Sequence, residues 1–443
     1  MRTYGWDTVS QISIDKVNTA LASSQGTLPM HFKGDPGTDP PVVAEGELAR
    51  WSIVPGGAVR YLYLELEIKT GALDIGTGTV DPRAEEYRPL GRTFEALKYD
   101  LAGVRVVSSV DLRMFRQPES QADDLRFNMT QIGSALPPAH EGDVVPVKVI
   151  DPSGKLSSAA KTLLGVAMAD FLVKNAQSIQ FVFAHVSPIP PGVDSWLAPR
   201  RSDFAYIPRE GDGGGVLGVL SVTTDRDISH LERQIDPSTF RSGMSGSYVI
   251  SKELVLQNVI KPSLATAYST APDVFAYASD RELIRNTRSF GTESVRSGAI
   301  TYYPQIHQFE LSIAGDLVQT MIRGNCDLKA GISMSFYMLV RNATTFDPAS
   351  KTLIIHGDPN PISSHSADIP WWFWFLGPLV PLITEIVVKF IANDIAGKLN
   401  GLVQSALSIT KSPPKLVEWA GNPAFKISTA GLNDALYMMG QWE

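Results

Sequence analysis

The chain has 443 residues, of which 44% are hydrophobic and 19% are charged, and its formal net charge at pH 7 is −7. An apolar content of this size is typical of folded protein, and the length predicts two or three domains. The acidic balance and the lack of a long lysine and arginine run argue against a nucleic-acid-binding protein.

A single cysteine, Cys326, rules out an intramolecular disulfide and any metal site built from several cysteines. We expect Cys326 to be a small buried apolar residue. The seven histidines are scattered, and none has a second histidine three or four residues away. The sequence therefore predicts no metal site and no cofactor.

The first 16 residues, MRTYGWDTVSQISIDK, contain no apolar run like the core of a signal peptide. We therefore expect synthesis in the cytoplasm, with any later release by a route that needs no cleaved signal. Residues 369–384 carry no charge, but this stretch has only 16 residues and three prolines. A membrane-spanning helix needs roughly 20 apolar residues, so we expect no transmembrane segment.

The first half of the chain predicts a helix, two long strands, a second helix and a closing strand, in that order. Apolar residues at helical spacing mark residues 7–22 and 155–175. Alternation of apolar and polar residues, which is the period of a half-buried strand, marks residues 60–69 and 104–114. The segment 178–186 (SIQFVFAHV) predicts the closing strand.

The second half of the chain repeats this order. Ser251 is the predicted N-cap of a helix that continues to residue 268 with a kink at Pro262. Two strands with one apolar face each follow, joined by a predicted turn at Arg323 and Gly324. The second of these strands covers residues 326–338, where every even position is apolar. The apolar face of the first comprises Phe309, Leu311, Ile313, Leu317 and Met321.

The remaining predicted elements are a strand over 352–356, a long helix over 379–403, and short strands over 416–419 and 425–429. The two halves share an order of elements but no residue-level identity. Long one-sided strands beside apolar helices predict an α+β fold of two units, each a long curved antiparallel sheet wrapped on a long amphipathic helix. We predict units at 1–190 and 246–443, with a connector at 191–245 that is rich in proline, glycine and charge and contains some strand.

Two stretches come close to known motifs but lack the context that those motifs require. Residues 243–247 (GMSGS) differ from the nucleophile elbow G-x-S-x-G in the last residue and follow a mostly polar segment instead of a buried strand. Gly213, Gly215 and Gly218 have the spacing G-x-G-x-x-G, but polar residues precede them and a strand-like segment follows. We interpret Ser245 as part of a turn and expect no enzymatic activity and no catalytic residue.

The inward-facing apolar side chains allow two interpretations. One is an ordinary packed core, and the other is a groove between sheet and helix that holds an acyl chain or a sterol-like ligand. The residues alone favour neither. The candidate lining residues of such a hydrophobic groove are Leu62, Leu64, Leu66, Val106, Leu112, Phe309, Leu311, Leu328, Ile332 and Phe336.

Five consecutive aromatic residues, 371–375, lie within the uncharged stretch. Trp371, Trp372 and Trp374 are candidates for contact with a membrane interface, because indole rings favour that boundary. Five consecutive aromatic residues also cannot all face one helical core. The alternative is that these rings pack between the ends of a helix and a sheet.

The sequence resembles a known family at three places in chain order. It opens with residues 3–7 (TYGWD), residues 248–251 (YVIS) lead through Leu254 into 258–262 (NVIKP), and the aromatic run 371–375 precedes a long predicted helix. These landmarks resemble the OrfX and forty-seven-kilodalton accessory proteins that clostridia encode beside botulinum neurotoxins. The resemblance implies the fold of the tubular lipid-binding (TULIP) superfamily, in which a curved antiparallel sheet wraps a long helix.

The residues and the resemblance together leave two functions open. The first is a non-enzymatic TULIP-type protein that binds a lipid, either a phospholipid or a phosphoinositide, or another apolar ligand. The second is a structural or chaperone partner of a toxin-like protein, with the groove sealed by its own side chains and no lipid. The resemblance implies toxin or sibling OrfX-type proteins as protein partners. Lipid that co-purifies with the protein would separate the two functions.

Overall fold

The structure is a computed structural model that describes residues 1–24, 26–80, 89–187, 195–209, 214–297, 300–329, 332–368 and 416–443. Most of these residues lie in antiparallel strands, and the three largest sheets that they form have six, ten and eight strands. The predicted long antiparallel strands are confirmed. The described part of the chain is nevertheless mainly β-sheet, with less helix than the α+β prediction implied.

The amino-terminal strand lies inside the six-stranded antiparallel sheet. In spatial order this sheet contains β13 (Arg201–Ile207), β14 (Val216–Val222), β1 (Thr8–Ser13), β15 (Gly246–Ser251), β28 (Ala435–Trp442) and β27 (Phe425–Leu432). The sheet takes strands from all three predicted segments, 1–190, 191–245 and 246–443. Its pairings therefore join the start, the middle and the end of the chain.

The helix predicted over residues 7–22 is wrong in its first half, which forms β1. The helix α1 (Ile14–Ser23) begins after Ser13, whose side-chain oxygen accepts a hydrogen bond from a backbone N–H of the first turn. Every residue of β1 is buried, with Val9 in one apolar cluster and Ile12 in another. A strand buried on both faces needs no polar side, so its two-residue period is not visible in the sequence.

The ten-stranded sheet comes mostly from the first half of the chain. Its main spatial order is β2 (His31–Gly34), β3 (Val42–Ala58), β4 (Tyr61–Ile75), β8 (Arg105–Arg116), β9 (Asp123–Asn128), β12 (Val182–Val186) and β26 (Val417–Trp419). Three more strands join it: β7 (Leu97–Asp100) on β4, β11 (Asp143–Ile150) on β8, and β10 (Gln131–Ile132) on β11. Helix α2 (Ser158–Lys174) packs against β2 and β3 and also against β8, β10 and β11.

The strands predicted from alternation over 60–69 and 104–114 are confirmed as β4 and β8, which pair with each other. The alternating leucines of β4 face the core, as the pattern predicted. Glu65, on the opposite face of β4, is also buried. Guanidinium nitrogens of Arg50 and Arg105 lie 3.9 and 3.5 Å from its carboxylate oxygens, so the buried charge is paired.

The eight-stranded sheet comes from the second half. Its main order is β16 (Phe275–Ala278), β17 (Leu283–Asn286), β21 (Gln305–Ala314), β22 (Leu317–Lys329), β23 (Ile332–Asp347) and β24 (Thr352–Ile355), and β24 confirms the strand predicted over 352–356. β18 (Phe290–Gly291) pairs with β21, and β25 (Ile362–Asp368) pairs with β23. Two small sheets contain β5 (Gly78–Val80) with β6 (Pro89–Phe94), and β19 (Val295–Ser297) with β20 (Ile300–Tyr302).

The turn predicted at Arg323 and Gly324 is wrong. The chain turns between β21 and β22 at Gly315, whose φ of 60° lies in the left-handed region that glycine tolerates. Gly324 lies inside β22, where a Cβ atom would be 2.2 Å from the carbonyl oxygen of Gln305 on the neighbouring strand. Glycine at this position permits a close approach of two strands rather than a reversal of the chain.

Because the turn lies at Gly315 and not at Gly324, the residues of β22 that face the core differ from those predicted. Val318 and Ile322 are buried, whereas the predicted Leu317 and Met321 are half-buried. The single strand predicted over 326–338 is wrong, because this segment contains the end of β22 and the start of β23, which pair with each other. Even positions within 326–338 still face the core, and those with described side chains are Cys326, Met334, Phe336 and Met338.

The helix predicted from Ser251 to residue 268 is confirmed. The hydroxyl oxygen of Ser251 accepts a hydrogen bond from the backbone N–H of Leu254 at 3.3 Å. The helix has three segments: α3 (Lys252–Val255), a π-helical turn (Leu256–Ile260) and α4 (Lys261–Ala267). Pro262 is the second residue of α4, and its missing N–H interrupts the α-helical hydrogen bonds next to the π-helical turn.

Several predictions concern the last quarter of the chain. Trp371, Trp372, Trp374 and the helix predicted over 379–403 lie outside the described residues. Short strands at β26 and β27 are confirmed, whereas the sequence did not predict β28.

Among the described residues, no helix is long and apolar enough to span a membrane. Short 3₁₀ turns occur at Ser195–Leu197, Pro237–Thr239 and Pro272–Val274.

Candidate functional site

A groove with a cavity volume of about 600 Å³ lies between helix α2 and strand β11. This volume is within the range of roughly 300–1,000 Å³ that is typical of small-molecule sites. We call it the α2–β11 groove. Its wall comes from β10 and the residues after it, from β11, and from the first half of α2. The apolar lining residues are Ile132, Val145, Pro146, Val147, Val149 and Val166.

An irregularity in β11 shapes one wall of the groove. Between Pro146 and Lys148 the register with β8 shifts, which leaves Val147 unpaired as a bulge. Proline lacks an N–H and is confined to such irregular positions or to edges of sheets. On the helix, Gly165 faces this strand, and a Cβ atom there would lie 3.1 Å from the Cβ atom of Pro146. These residues set the close approach of α2 to β11.

The lining leaves apolar surface in contact with water. Ile132 is 39% exposed, although it is a large aliphatic side chain. Exposed apolar patches on folded proteins often mark binding sites. A ligand that covered the apolar lining would gain roughly 25 cal/mol for each Å² of apolar surface removed from water. The groove therefore favours an apolar ligand.

The polar lining residues are basic or neutral. They are Ser134, Lys148, Ser158, Lys161 and Thr162, and no carboxylate is among the lining residues described. The hydroxyl of Thr162 donates a hydrogen bond to the backbone carbonyl oxygen of Ser158 at 3.1 Å, within the same helix. The groove thus presents two positive charges beside an apolar wall.

The loop before α2 is held by Asp151. Its carboxylate accepts hydrogen bonds from the backbone N–H of Leu156 at 2.7 Å and from the hydroxyl of Ser153 at 2.7 Å. Desolvation raises the pKa of Asp151, but these hydrogen bonds and the positive charge of Lys161 outweigh it and lower the pKa overall. Asp151 therefore stays ionised and fixes the loop that leads into the groove.

Ser245 lies in a separate, polar cavity of about 390 Å³ beside α1. Its hydroxyl oxygen accepts a hydrogen bond from the backbone N–H of Trp442 at 2.7 Å, and the residue is 7% exposed. No histidine is among the described residues that line this cavity. The contacts of Ser245 are those of a structural residue that holds the end of β28 beside the start of β15.

A histidine–carboxylate contact joins β9 and β12. Nδ1 of His185 lies 2.7 Å from a carboxylate oxygen of Asp124, which also contacts Arg126 and Gln117. Burial raises the pKa of Asp124, but the hydrogen bonds from these three side chains lower it overall.

In the described ranges no group of three or more histidine, cysteine, aspartate or glutamate side chains is placed to bind a metal ion.

The groove-lining residues predicted from the sequence lie elsewhere. Those with described side chains belong to one apolar cluster, are at most 4% exposed, and do not line the α2–β11 groove. In this structure they form packed core. They are Leu62, Leu64, Leu66, Val106, Leu112, Phe309, Leu311 and Phe336. The side chains of Leu328 and Ile332 are outside the described part of the chain.

Two signals in the sequence could have indicated the groove. A proline interrupts the apolar strand-like segment 143–150 (DVVPVKVI), and a glycine interrupts the apolar helix at position 165. Both residue types mark places where regular pairing or packing is broken. Alternation and helical spacing do not register them, because both patterns count only apolar and polar residues.

Comparisons with known proteins agree on one family. Residues 3–354 match the OrfX-like family model, which is described as Protein OrfX2/OrfX3/P47. Protein P47 of Clostridium botulinum (strain Kyoto / Type A2) is 22% identical over 453 residues, covering 99% of each chain. Protein OrfX3 of Paraclostridium bifermentans is 20% identical over 457 residues, covering 94% of this chain and 89% of that protein.

A solved structure of P47 from Clostridium botulinum A2 shares the fold. It matches with a TM-score of 0.74 and 21% sequence identity, covering 100% of this chain and 98% of the other. The agreement extends from end to end, so the similarity is not restricted to one of the sheets.

Proposed function

Because the chain belongs to the OrfX-like family of OrfX2, OrfX3 and P47 proteins, we propose that it is a non-enzymatic protein that binds an apolar ligand in the α2–β11 groove. The observation that carries this proposal is the apolar lining of a groove of about 600 Å³. The engaged hydroxyl of Ser245 supports the absence of hydrolytic chemistry. The relatives' names do not identify a ligand, so the ligand class is argued from the groove.

The surroundings of α2 support a TULIP-type arrangement of the first unit. The helix contacts β2 and β3 near one end of the strand order and β8, β11 and β10 farther along it, as a sheet curved around a helix would. Eleven of the 17 residues of α2 are buried. The α2–β11 groove lies where this helix meets β11.

Thr162→Trp should block the groove without disturbing the core. Thr162 is exposed and lines the groove, so an indole ring at this position would occupy the space that a ligand needs. We expect binding of an uncharged apolar dye such as Nile red, followed by fluorescence titration, to weaken at least tenfold. Loss of about 60 Å² of contact at roughly 25 cal/mol/Å² is enough for that change.

Thr19→Trp is the matched control. Thr19 is also an exposed helical threonine whose hydroxyl donates a hydrogen bond to the carbonyl oxygen four residues earlier, but it belongs to α1. We expect this variant to bind the dye like the parent. Equal binding by both variants would refute the groove as the binding site.

Mass spectrometry of solvent extracts of the parent protein tests the alternative function. If it finds no lipid, this would favour a structural or chaperone partner of a toxin-like protein, with a groove sealed by its own side chains.

Ser245→Ala should leave any hydrolase activity of the purified protein unchanged per folded molecule. The same change leaves the N–H of Trp442 without its acceptor, so we expect a loss of about 1–3 kcal/mol in the free energy of unfolding. Hydrolysis of a p-nitrophenyl ester and urea unfolding measure the two effects. Disappearance of an esterase activity that the parent possesses would show that the non-enzymatic assignment is wrong.

A further inference from the structure

We infer that the ligand of the α2–β11 groove is a single-chain amphiphile with a carboxylate head, and that Lys148 and Lys161 bind this head group. The inference rests on the proposed function, because it names the ligand class of the same groove. Lys148 belongs to β11 and Lys161 to α2, so the two lysines line the groove on its two walls.

The first argument is the sign of the charge. The whole chain carries a net charge of −7, yet the groove is lined by two lysines and, among the described residues, by no carboxylate. Neither lysine side chain forms an ion pair with a described carboxylate. Two ammonium groups beside an apolar wall favour a ligand that has an acidic head and an apolar tail.

The second argument is the amount of charge. Lys161 acts electrostatically on Asp151, whose oxygens are already engaged by N–H and hydroxyl groups of its own loop. Two lysines and one ionised aspartate leave about one uncompensated positive charge. A carboxylate carries one negative charge and complements it, whereas a phosphate monoester carries about −1.5 to −2 at pH 7.

The third argument is size. A volume of about 600 Å³ lies near the middle of the range of roughly 300–1,000 Å³ that is typical of small-molecule sites. This space suits one acyl chain better than the two chains and the large head of a phospholipid. Ile132, Val149 and Val166 supply the apolar wall on which a single chain would lie.

Four ligands with the same dodecyl tail test the inference: dodecanoate, dodecanol, dodecylamine and dodecyl phosphate, each below its micelle concentration. Displacement of Nile red reports their affinities. We expect dodecanoate to bind more tightly than dodecanol by up to about fivefold for each lysine, and dodecylamine to bind most weakly. The advantage of dodecanoate should shrink as salt is added, because salt screens charges at an open groove.

The combined variant Lys148→Gln and Lys161→Gln should bind dodecanoate no more tightly than dodecanol. Its unchanged affinity for dodecanol shows that the groove is intact. Lys155→Gln, which removes an exposed lysine outside the lining, should keep the parent's preference. Equal affinity of the parent for dodecanoate and dodecanol would overturn the inference and leave the proposed function standing, as would tighter binding of dodecyl phosphate. Failure of all four ligands to bind would overturn both.

Discussion

Gly34→Ala is expected to lower the free energy of unfolding by about 3 kcal/mol or more and to weaken ligand binding in the α2–β11 groove. Gly34 is the last residue of β2, and a Cβ atom there would lie 1.9 Å from the carbonyl oxygen of Ala167 and 3.2 Å from its Cα atom. These are backbone atoms of α2, so no side-chain rotation can relieve the contact. The helix or the strand must move.

The movement should reach the groove because α2 is fixed on this side as well. The backbone N–H of Asp35 donates to the carboxylate of Asp170 at 2.9 Å, and the ammonium of Lys174 donates to the carbonyl oxygen of Asp35 at 2.7 Å. The opposite side of α2 meets β11 at Gly165. A helix pushed away from β2 is therefore pushed toward β11, where the groove lies.

Gly26→Ala is the matched control for this change. A Cβ atom at Gly26 would meet nothing within 4 Å, and its φ does not require glycine. We expect its free energy of unfolding, measured with urea, to stay within about 0.5 kcal/mol of that of the parent. If Gly34→Ala and Gly26→Ala unfold at the same urea concentration, β2 does not pack against the backbone of α2 as described.

The alternation of β4 predicted its position and its inward face because that strand has one buried side. Leu62, Leu64 and Leu66 recur at every second position, which is the period of a pleated strand. The burial of Glu65 was not predictable from the same pattern. It depends on Arg50 and Arg105, which two neighbouring strands bring to the carboxylate.

The strand β1 shows where local pattern fails. Its residues were predicted as helix, because Val9, Ile12 and the residues after them recur at helical spacing. Pairing with β14 on one side and β15 on the other buries the whole strand. Those partners lie more than 200 residues away in the chain, as in the pair Ile12 and Leu217, and no local period reports them.

The candidate site was missed for a related physical reason. Sequence periodicity selects the residues that fill a core, and the selected residues, such as Leu64 and Phe309, do fill it. A groove forms where filling is interrupted, here by the bulge beside Pro146 and the missing side chain of Gly165. The residues that define a groove are therefore exceptions to the apolar pattern.

An aromatic cluster fastens the carboxyl end of α4 to the eight-stranded sheet. It contains Tyr268, which directly follows α4, together with Phe275, Phe290 and Phe309. The ring centroids of Phe275 and Phe309 are 5.3 Å apart, and those of Tyr268 and Phe290 are 5.2 Å apart, both with edge-to-face geometry. Aromatic pairs of this kind contribute roughly 0.5–1.5 kcal/mol each beyond the burial of their surface.

Phe309→Ala is therefore expected to lower the free energy of unfolding by about 3–5 kcal/mol. Phe309 is fully buried, and its removal would leave a cavity that three rigid rings cannot close by small rotations. Tyr303→Ala, which removes a ring that is 64% exposed, is the control and should cost about 0.5 kcal/mol or less. Urea unfolding followed by circular dichroism measures both variants. A difference between them of less than about 1 kcal/mol would mean that the cluster does not hold α4 on the sheet.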